Sequence, residues 1–368
     1  MLSTTVRTNE NLYHIRTGNQ ILKVELQDAL RFHATDQLFL IVDQNVAKYH
    51  QDYINSSIHG IASNTKQLTI PPGESSKSMS SYSEALDFLL TNGVRRNTAL
   101  VVIGGGVTGD LGGFVAATAL RGIPLIHVPT TLLAMVDSAI GGKTGINHTV
   151  GKNLIGSFYQ PAAVISDTHF LASLPNNEWV NGLSEILKYG AISNADIFED
   201  SKIFLNGKPE DHTSTLLISL IDKCVKVKAD IVGKDELESG VRAFLNYGHT
   251  FAHALEKAAD FDQISHGEAV FLGMMAAEKL SILTGGTLNT HPLDPFRKLY
   301  KYRVPKEALS LEDVMEYMNS DKKRVGANLT FVLLNKWQEP IVKTVEDREL
   351  IESSWSVVFN EIEKNQID

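Results

Sequence analysis

Two histidines stand four residues apart in Tyr247-Gly248-His249-Thr250-Phe251-Ala252-His253, a spacing that puts both imidazoles on one face of a helix and suits metal chelation. His266 follows in His266-Gly267-Glu268-Ala269, and Glu185 is an isolated acid in Gly182-Leu183-Ser184-Glu185-Ile186-Leu187-Lys188. Glu185, His249, His253 and His266 are four candidate ligands of the nitrogen and oxygen type that zinc takes three or four at a time, and Lys188 lies beside them as a catalytic-type amine. A histidine pair alone is more often surface or core histidine than a ligand pair, so its neighbours decide. Arg242, Asn246 and His249 form an i, i+4, i+7 series, one stripe of one helix if that helix reaches back to residue 242. A stripe of guanidinium, amide and imidazoles is no hydrophobic core face.

Other polar groups read as an anion site. Lysines stand beside glycines and amides in Asp137-Ser138-Ala139-Ile140-Gly141-Gly142-Lys143 and in Gly151-Lys152-Asn153, as point charges for phosphate do. Lys228 lies on an expected helix, and Lys322 and Lys323 end another; by themselves this last pair reads as a solvated face. A glycine loop, Gly104-Gly105-Gly106-Val107-Thr108-Gly109-Asp110, follows an apolar run and opens a helical pattern. Gly105 and Gly106 there would let the backbone approach a pyrophosphate at a helix N-terminus. The ribose-binding acid expected about 20 residues on is missing, because the chain reads His127-Val128-Pro129 there. Asp43 ends an earlier run instead, which points to a dinucleotide loop in an unusual strand order.

The elements that must position these groups change character along the chain. Runs 38–42, 99–103, 124–128 and 163–165 are almost wholly apolar, as in a parallel sheet covered on both faces. From about residue 177 a helical period takes over in 214–232, 244–259 and 268–283, interrupted by strand-like runs at 330–334 and 340–342. The expectation is a Rossmann-like α/β nucleotide domain over 1–172, a mainly α-helical metal- and substrate-binding domain over 173–368, and a site in the cleft between them.

Composition narrows the function classes. With 43% apolar and 21% charged residues, the 368-residue chain has the make-up of a soluble globular protein. A net charge of −9 argues against a nucleic-acid partner. The single cysteine, Cys224, excludes an internal disulfide and suits a reducing cytoplasm. The N-terminus lacks an apolar signal core, and the stretch from Gly122 to Val136 is too short and too broken by proline to span a bilayer, so no membrane association is expected.

Taken together, these segments resemble the 3-dehydroquinate synthase family of the sugar-phosphate cyclase superfamily. Further residues that carry the resemblance are Pro72-Gly73-Glu74-Ser75-Ser76-Lys77, Arg121-Gly122, Pro129-Thr130-Thr131-Leu132-Leu133 and Asp321-Lys322-Lys323, all in family order. Ala252 stands where the family usually has glycine, and Ser184 where alanine is usual. The resemblance implies Glu185, His249 and His266 as ligands of Zn2+, or alternatively Co2+, with His253 turned to substrate. It implies an NAD site of Asp43, Glu74, Lys77, Gly105, Gly106, Asp110, Thr130, Thr131 and Lys152. Asp137, Lys143, Asn153, Lys188, Lys228, Arg242, Asn246 and Lys322 or Lys323 would surround a sugar-acid phosphate, with Lys188, His253, Lys143 and Asp137 as the catalytic groups. Arg121 would reach the site of a neighbouring subunit, which makes the expected assembly a homodimer.

The implied reaction converts 3-deoxy-D-arabino-heptulosonate 7-phosphate to 3-dehydroquinate and phosphate in the shikimate pathway. Oxidation at C5, elimination of phosphate, reduction, ring opening and an aldol closure leave NAD unchanged at the end. Three rivals predict other outcomes. A metal-dependent polyol dehydrogenase would make NADH stoichiometrically. A cyclase for carboxylate-free sugar phosphates would have no use for the cations at Lys228 and Arg242, whereas one for an amino analogue would keep them. An inert NAD-binding scaffold would not hold every ligand and cation type at once.

Overall fold

The computed structural model describes residues 1–368 except 33–34, 36, 63, 210, 260–262, 305–308, 326–328 and 368. The chain forms two compact units, residues 1–178 with 210–237, and residues 179–209 with 238–368.

In the first unit the apolar runs become strands because neighbouring backbones satisfy their amides while both faces are buried. Its strands are β1 (Leu2–Arg7), β2 (Leu12–Gly18), β3 (Gln37–Asp43), β4 (Asn64–Ile70), β5 (Ala99–Gly104), β6 (Leu125–Pro129), β7 (Lys143–His148), β8 (Gly151–Phe158) and β9 (Ala163–Asp167). Seven form one sheet in the order β1-β2-β9-β6-β5-β3-β4, parallel throughout except for the β1–β2 hairpin, and β7 with β8 forms a separate hairpin. Leu38, Leu40 and Val42 of β3 face a core layer with helix α1 (Leu22–Phe32) and helix α2 (Gln44–Ile58). Phe39 and Ile41 face the opposite layer, with helix α3 (Met79–Thr91) and helix α4 (Gly106–Thr118). The expected two-sided parallel sheet is therefore present, and the ends of β3, β5 and β6 bring Asp43, Gly104 and Pro129 to one edge.

His127 of β6 lies buried against the glycine face of α4, its Cε1 3.7 Å from where a Cβ on Gly113 would stand. Burial pushes its pKa down to about 4. The folded imidazole thus stays neutral while an unfolded one takes a proton below about 6.5, so stability falls as pH drops from 6.5 towards 4. At pH 5 this one ring costs about 2 kcal/mol. His127→Gln should therefore lose less stability than the parent between pH 7 and pH 5 in urea titrations of this unit, and parallel losses would remove the assignment.

The second unit is built on helices α5 (Asn176–Ile192), α6 (Asp196–Asp200), α8 (His249–Ala258), α9 (His266–Leu283), α10 (Leu311–Val325) and α11 (Arg348–Asn365), with one antiparallel hairpin of β10 (Leu329–Leu334) and β11 (Pro340–Val345). The hairpin is where the strand-like runs predict it. Gly248 and Gly273 allow α8 and α9 to pack backbone to backbone: a Cβ on Gly273 would stand 2.2 Å from the Gly248 carbonyl oxygen.

Two expectations are corrected. The division does not fall at residue 172. It lies inside the first turn of α5, and segment 210–237, with α7 (Thr215–Lys234), belongs to the first unit. The reason is the apolar face of α7: Leu217, Leu220, Ile221 and Val225 are fully buried in a helix that packs on β1 and β2, and the Thr4 hydroxyl donates to Asp222 at 3.0 Å. The second correction concerns Arg242 and Asn246, which are not on the helix of His249. They lie on a 3-10 turn, Val241–Asn246, and Gly248 at φ 82° breaks the chain direction before α8 starts.

Candidate active site

The metal candidates all lie in the second unit. Glu185 comes from the middle of α5, and His249 and His266 are the first residues of α8 and α9. One ligand atom from each lies within 4.8 Å of the others, with Glu185 Oε1 3.5 Å from His249 Nε2 and 3.3 Å from His266 Nε2. His249 Nδ1 faces the Tyr247 carbonyl at 3.2 Å, and His266 Nδ1 faces Glu256 Oε1 at 3.2 Å. An Nδ1 proton held this way leaves Nε2 with the lone pair a metal needs. The donor set of two imidazoles and one carboxylate, closely grouped, fits a divalent zinc- or cobalt-type ion, and three donors leave a four-coordinate ion one position for a further ligand. His253 is not part of the triad: it is exposed, its ring 5.7 Å from that of His249.

Electrostatics keep Glu185 ready to bind. Burial opposes its charge, yet the Lys188 ammonium beside Oε2 and hydrogen bonds from both histidines hold its carboxyl well below the usual range. Burial lowers the basicity of His266, but Glu185 and Glu256 raise it more, to about 10, so a metal arriving at Nε2 displaces a proton there and leaves the one on Nδ1. Ser184 braces the same corner: its hydroxyl donates to the Gly267 carbonyl at 2.6 Å and lies 2.8 Å from the Tyr300 hydroxyl, tying α5 to the start of α9. Arg242 is buried at 1% exposure, and Asn246 donates to Glu238 at 3.0 Å. Lys322 and Lys323 fall in α10, and their side chains lie outside the described residues.

The first unit gathers a different set. Gly105 caps α4 without any side-chain hydrogen bond, so the first amides of the helix remain available to an anion. Beside it, a Cβ on Gly105 would stand 3.0 Å from Thr131 Cγ2, and one on Gly106 would stand 3.1 Å from Ser138 Oγ, a buried hydroxyl without a hydrogen-bond partner among the described residues. A bare helix N-terminus, a Cβ-free approach and an orphaned hydroxyl fit the pyrophosphate of a dinucleotide. Thr130 donates its amide to the Gly104 carbonyl at 3.0 Å and is buried at the same turn. Asp43, at the end of β3, uses Oδ1 to cap α2 through the amides of Asn45 and Val46.

A second cluster adjoins it. Lys77 Nζ lies 2.5 Å from Asp110 Oδ2 and also donates to the Asn153 side chain. Burial pushes Asp110 above its ordinary value, and the Lys77 charge offsets part of that rise. Asn147 links the group, donating to Glu74 at 2.7 Å and accepting the Asn153 amide at 2.9 Å, while Asn153 takes a left-handed φ of 57°. Lys228 Nζ pairs with Asp137 Oδ1 at 2.9 Å and donates to the Asp137 carbonyl at 2.6 Å. Lys143, Lys152 and Arg121 are exposed, and Arg121 also holds a left-handed φ of 70°.

Sequence reasoning thus reached both groups but not their supports. No role is legible in the sequence for Asn147, Ser138 or Glu238, and Glu256 does not stand out as part of the site. Glu256 had a legible signal, since it lies seven residues after His249 on the same helical face. Nothing local marks Glu238, which holds a left-handed φ of 61° in the turn before Arg242.

Two family models match consecutive parts of the chain, 3-dehydroquinate synthase N-terminal over residues 67–181 and 3-dehydroquinate synthase C-terminal over residues 182–324. The chain belongs to the 3-dehydroquinate synthase family. A curated relative described as 3-dehydroquinate synthase, from Acidithiobacillus ferrooxidans, is 40% identical over 354 residues, 91% of this chain and 92% of the relative. Among solved structures, a 2-deoxy-scyllo-inosose synthase complexed with carbaglucose-6-phosphate, NAD+ and Co2+ is 27% identical, with a TM-score of 0.81 over 98% of this chain and 99% of the other. A 2-epi-5-epi-valiolone synthase from Streptomyces hygroscopicus, with NAD+ and Zn2+ bound, shares the fold at a TM-score of 0.85 and 23% identity over 98% of this chain and 99% of the other. Membership of the 3-dehydroquinate synthase family agrees with the sequence resemblance, and the two-part match extends it across both the glycine loop and the triad.

Proposed function

We infer that this chain is an NAD- and metal-dependent 3-dehydroquinate synthase, a phosphate-eliminating lyase acting on 3-deoxy-D-arabino-heptulosonate 7-phosphate. The observation that carries the reading is the Glu185–His249–His266 triad in one unit with the buried cations Lys188 and Arg242. A family at 40% identity whose members carry that name supports the same substrate.

When bound, NAD supplies a hydride acceptor that gives the hydride back, and the divalent metal supplies a Lewis acid for the substrate alcohol and ketone. The chain's own residues do the rest. Lys188 holds Glu185 ionised and fixed, so the triad needs little reorganisation as charge develops. Arg242 is the cation assigned to the substrate carboxylate, with Asn246 positioned beside it by Glu238. His253, on the exposed face of α8, is the group assigned to move a proton at the substrate. In the first unit the α4 N-terminus and Ser138 receive the dinucleotide, with Asp43, Glu74, Lys77, Asp110, Thr130, Thr131 and Lys152 around it. Lys143, Asn153 and the Lys228–Asp137 pair take the polar groups of the substrate, and Lys322 or Lys323 its phosphate. Holding one flexible substrate through several steps is chiefly a matter of position.

No described helix is long and apolar enough to cross a membrane. A cytoplasmic homodimer, with Arg121 given to the neighbouring subunit, completes the reading; the exposure of Arg121 at a left-handed turn, next to a half-buried Leu120, supports an outward role for that side chain.

One experiment tests this reading. The species isolated by size exclusion, expected at twice the 40.5 kDa chain mass, is given the heptulosonate phosphate in large excess over NAD, so that stoichiometric oxidation would soon exhaust the cofactor. Many turnovers of phosphate release without accumulating NADH are expected. Steady NADH formation from a polyol, with no phosphate from the heptulosonate, would establish a dehydrogenase instead, and a monomer with full turnover would remove the shared-site dimer.

A further inference from the structure

We propose that Glu256 is a positioning residue for the metal: it orients His266 and supplies the negative charge that this particular triad lacks. The inference rests on reading Glu185, His249 and His266 as ligands.

The geometry comes first. Glu256 lies in the third turn of α8, seven residues after His249 and three after His253, so a single helical face carries a ligand, the exposed histidine and this acid. Its Oε1 is 3.2 Å from His266 Nδ1, while His266 Nε2 turns to Glu185. The Glu256 side chain is 12% exposed and that of His266 39%, so the carboxylate approaches from the buried side of a ring whose other side meets water. The two histidines are therefore oriented by different means. His249 has a neutral backbone carbonyl behind it, and His266 has a carboxylate.

The charge balance explains why a carboxylate belongs there. Both histidines open helices, so the positive ends of α8 and α9 converge on the site that must hold a cation. Glu185 contributes one negative charge, but Lys188 sits on its second oxygen and cancels much of it. Glu268 answers only the α9 terminus, through a capping box with Ser265. Glu256 is the acid placed on the ligand itself. A carboxylate on Nδ1–H makes the imidazole a stronger donor at Nε2 and fixes its ring plane, and loss of such partners typically weakens metal binding by about 10- to 100-fold.

The test measures zinc affinity and needs no turnover. Zinc dissociation constants are obtained by competition with a chromogenic chelator for the parent chain, Glu256→Ala and Glu256→Gln, with the visible spectrum of each Co2+-loaded form. Glu256→Ala is expected to bind zinc about 10- to 100-fold more weakly with a shifted Co2+ spectrum. Glu256→Gln, which keeps an acceptor but no charge, should fall between it and the parent. Circular dichroism of the metal-free proteins separates this from misfolding, and if the alanine variant does not fold, the glutamine variant alone decides. Parent-like affinity and spectrum in the folded variants overturn the role of Glu256. A parent chain that binds neither ion overturns the triad instead, so the two failures are told apart.

Discussion

His249→Ala is expected to release the metal and with it the reaction, lowering turnover on the order of 10^3- to 10^5-fold, the equivalent of the several kcal/mol a bound Lewis acid contributes. The fold should survive. The His249 side chain is 12% exposed, and alanine is the best helix former for the first position of α8. Glu185 would be a poorer choice, because its removal leaves the Lys188 ammonium without its carboxylate in a fully buried place, a change that costs about 3–5 kcal/mol by itself. The informative comparison is His253→Ala. That ring is exposed and lies outside the grouped ligands, so its loss should leave zinc content at the parent level while impairing turnover. Metal analysis after gel filtration distinguishes the two variants. Wild-type zinc in His249→Ala, or metal loss in His253→Ala alone, would mean that the helix binds its ion through the other imidazole.

That partition of two histidines on one helix shows what can be read without coordinates. Spacing alone left four candidate ligands open, and only the resemblance to a family separated His253 from the other three. The parallel sheet was legible because its strands are buried on both faces, which leaves an almost uninterrupted apolar run such as Leu38 to Val42. The break between Arg242 and His249 was not legible. Polar residues at helical spacing look the same whether the backbone is continuous or not, and the decisive fact is the left-handed φ of Gly248, fixed by its contact with α9 rather than by its neighbours in sequence. The membership of α7 was hidden for a similar reason. Its apolar face would suit either unit, and only the long-range fit against β1 and β2 decides it. Pairs such as Lys228 with Asp137 and His266 with Glu256 join different elements, so no single helical or strand pattern connects them.

The same long-range fit makes Gly273→Ala the second large effect expected of a single methyl group. Intrinsic helix propensity favours alanine over glycine within α9 by about 1 kcal/mol, so a helix considered alone would be stabilised. Here the sign reverses. The added Cβ would stand 2.2 Å from the Gly248 carbonyl oxygen and 3.0 Å from the Ala252 amide nitrogen, both backbone atoms that no rotamer change can move. Relief requires α9 to withdraw from α8 by about an ångström, at an overpacking cost of about 1–3 kcal/mol beyond the propensity gain. Because His249 and His266 are the first residues of these two helices, the withdrawal also separates two ligands that a metal needs placed within about 0.5 Å. Gly273→Ala should therefore unfold at lower urea concentration than the parent and bind zinc at least about tenfold more weakly, although no ligand has been touched. A variant more stable than the parent, with unchanged zinc affinity, would show that the helix pair absorbs the methyl elsewhere and that the close approach of Gly248 and Gly273 does not set the geometry of the triad.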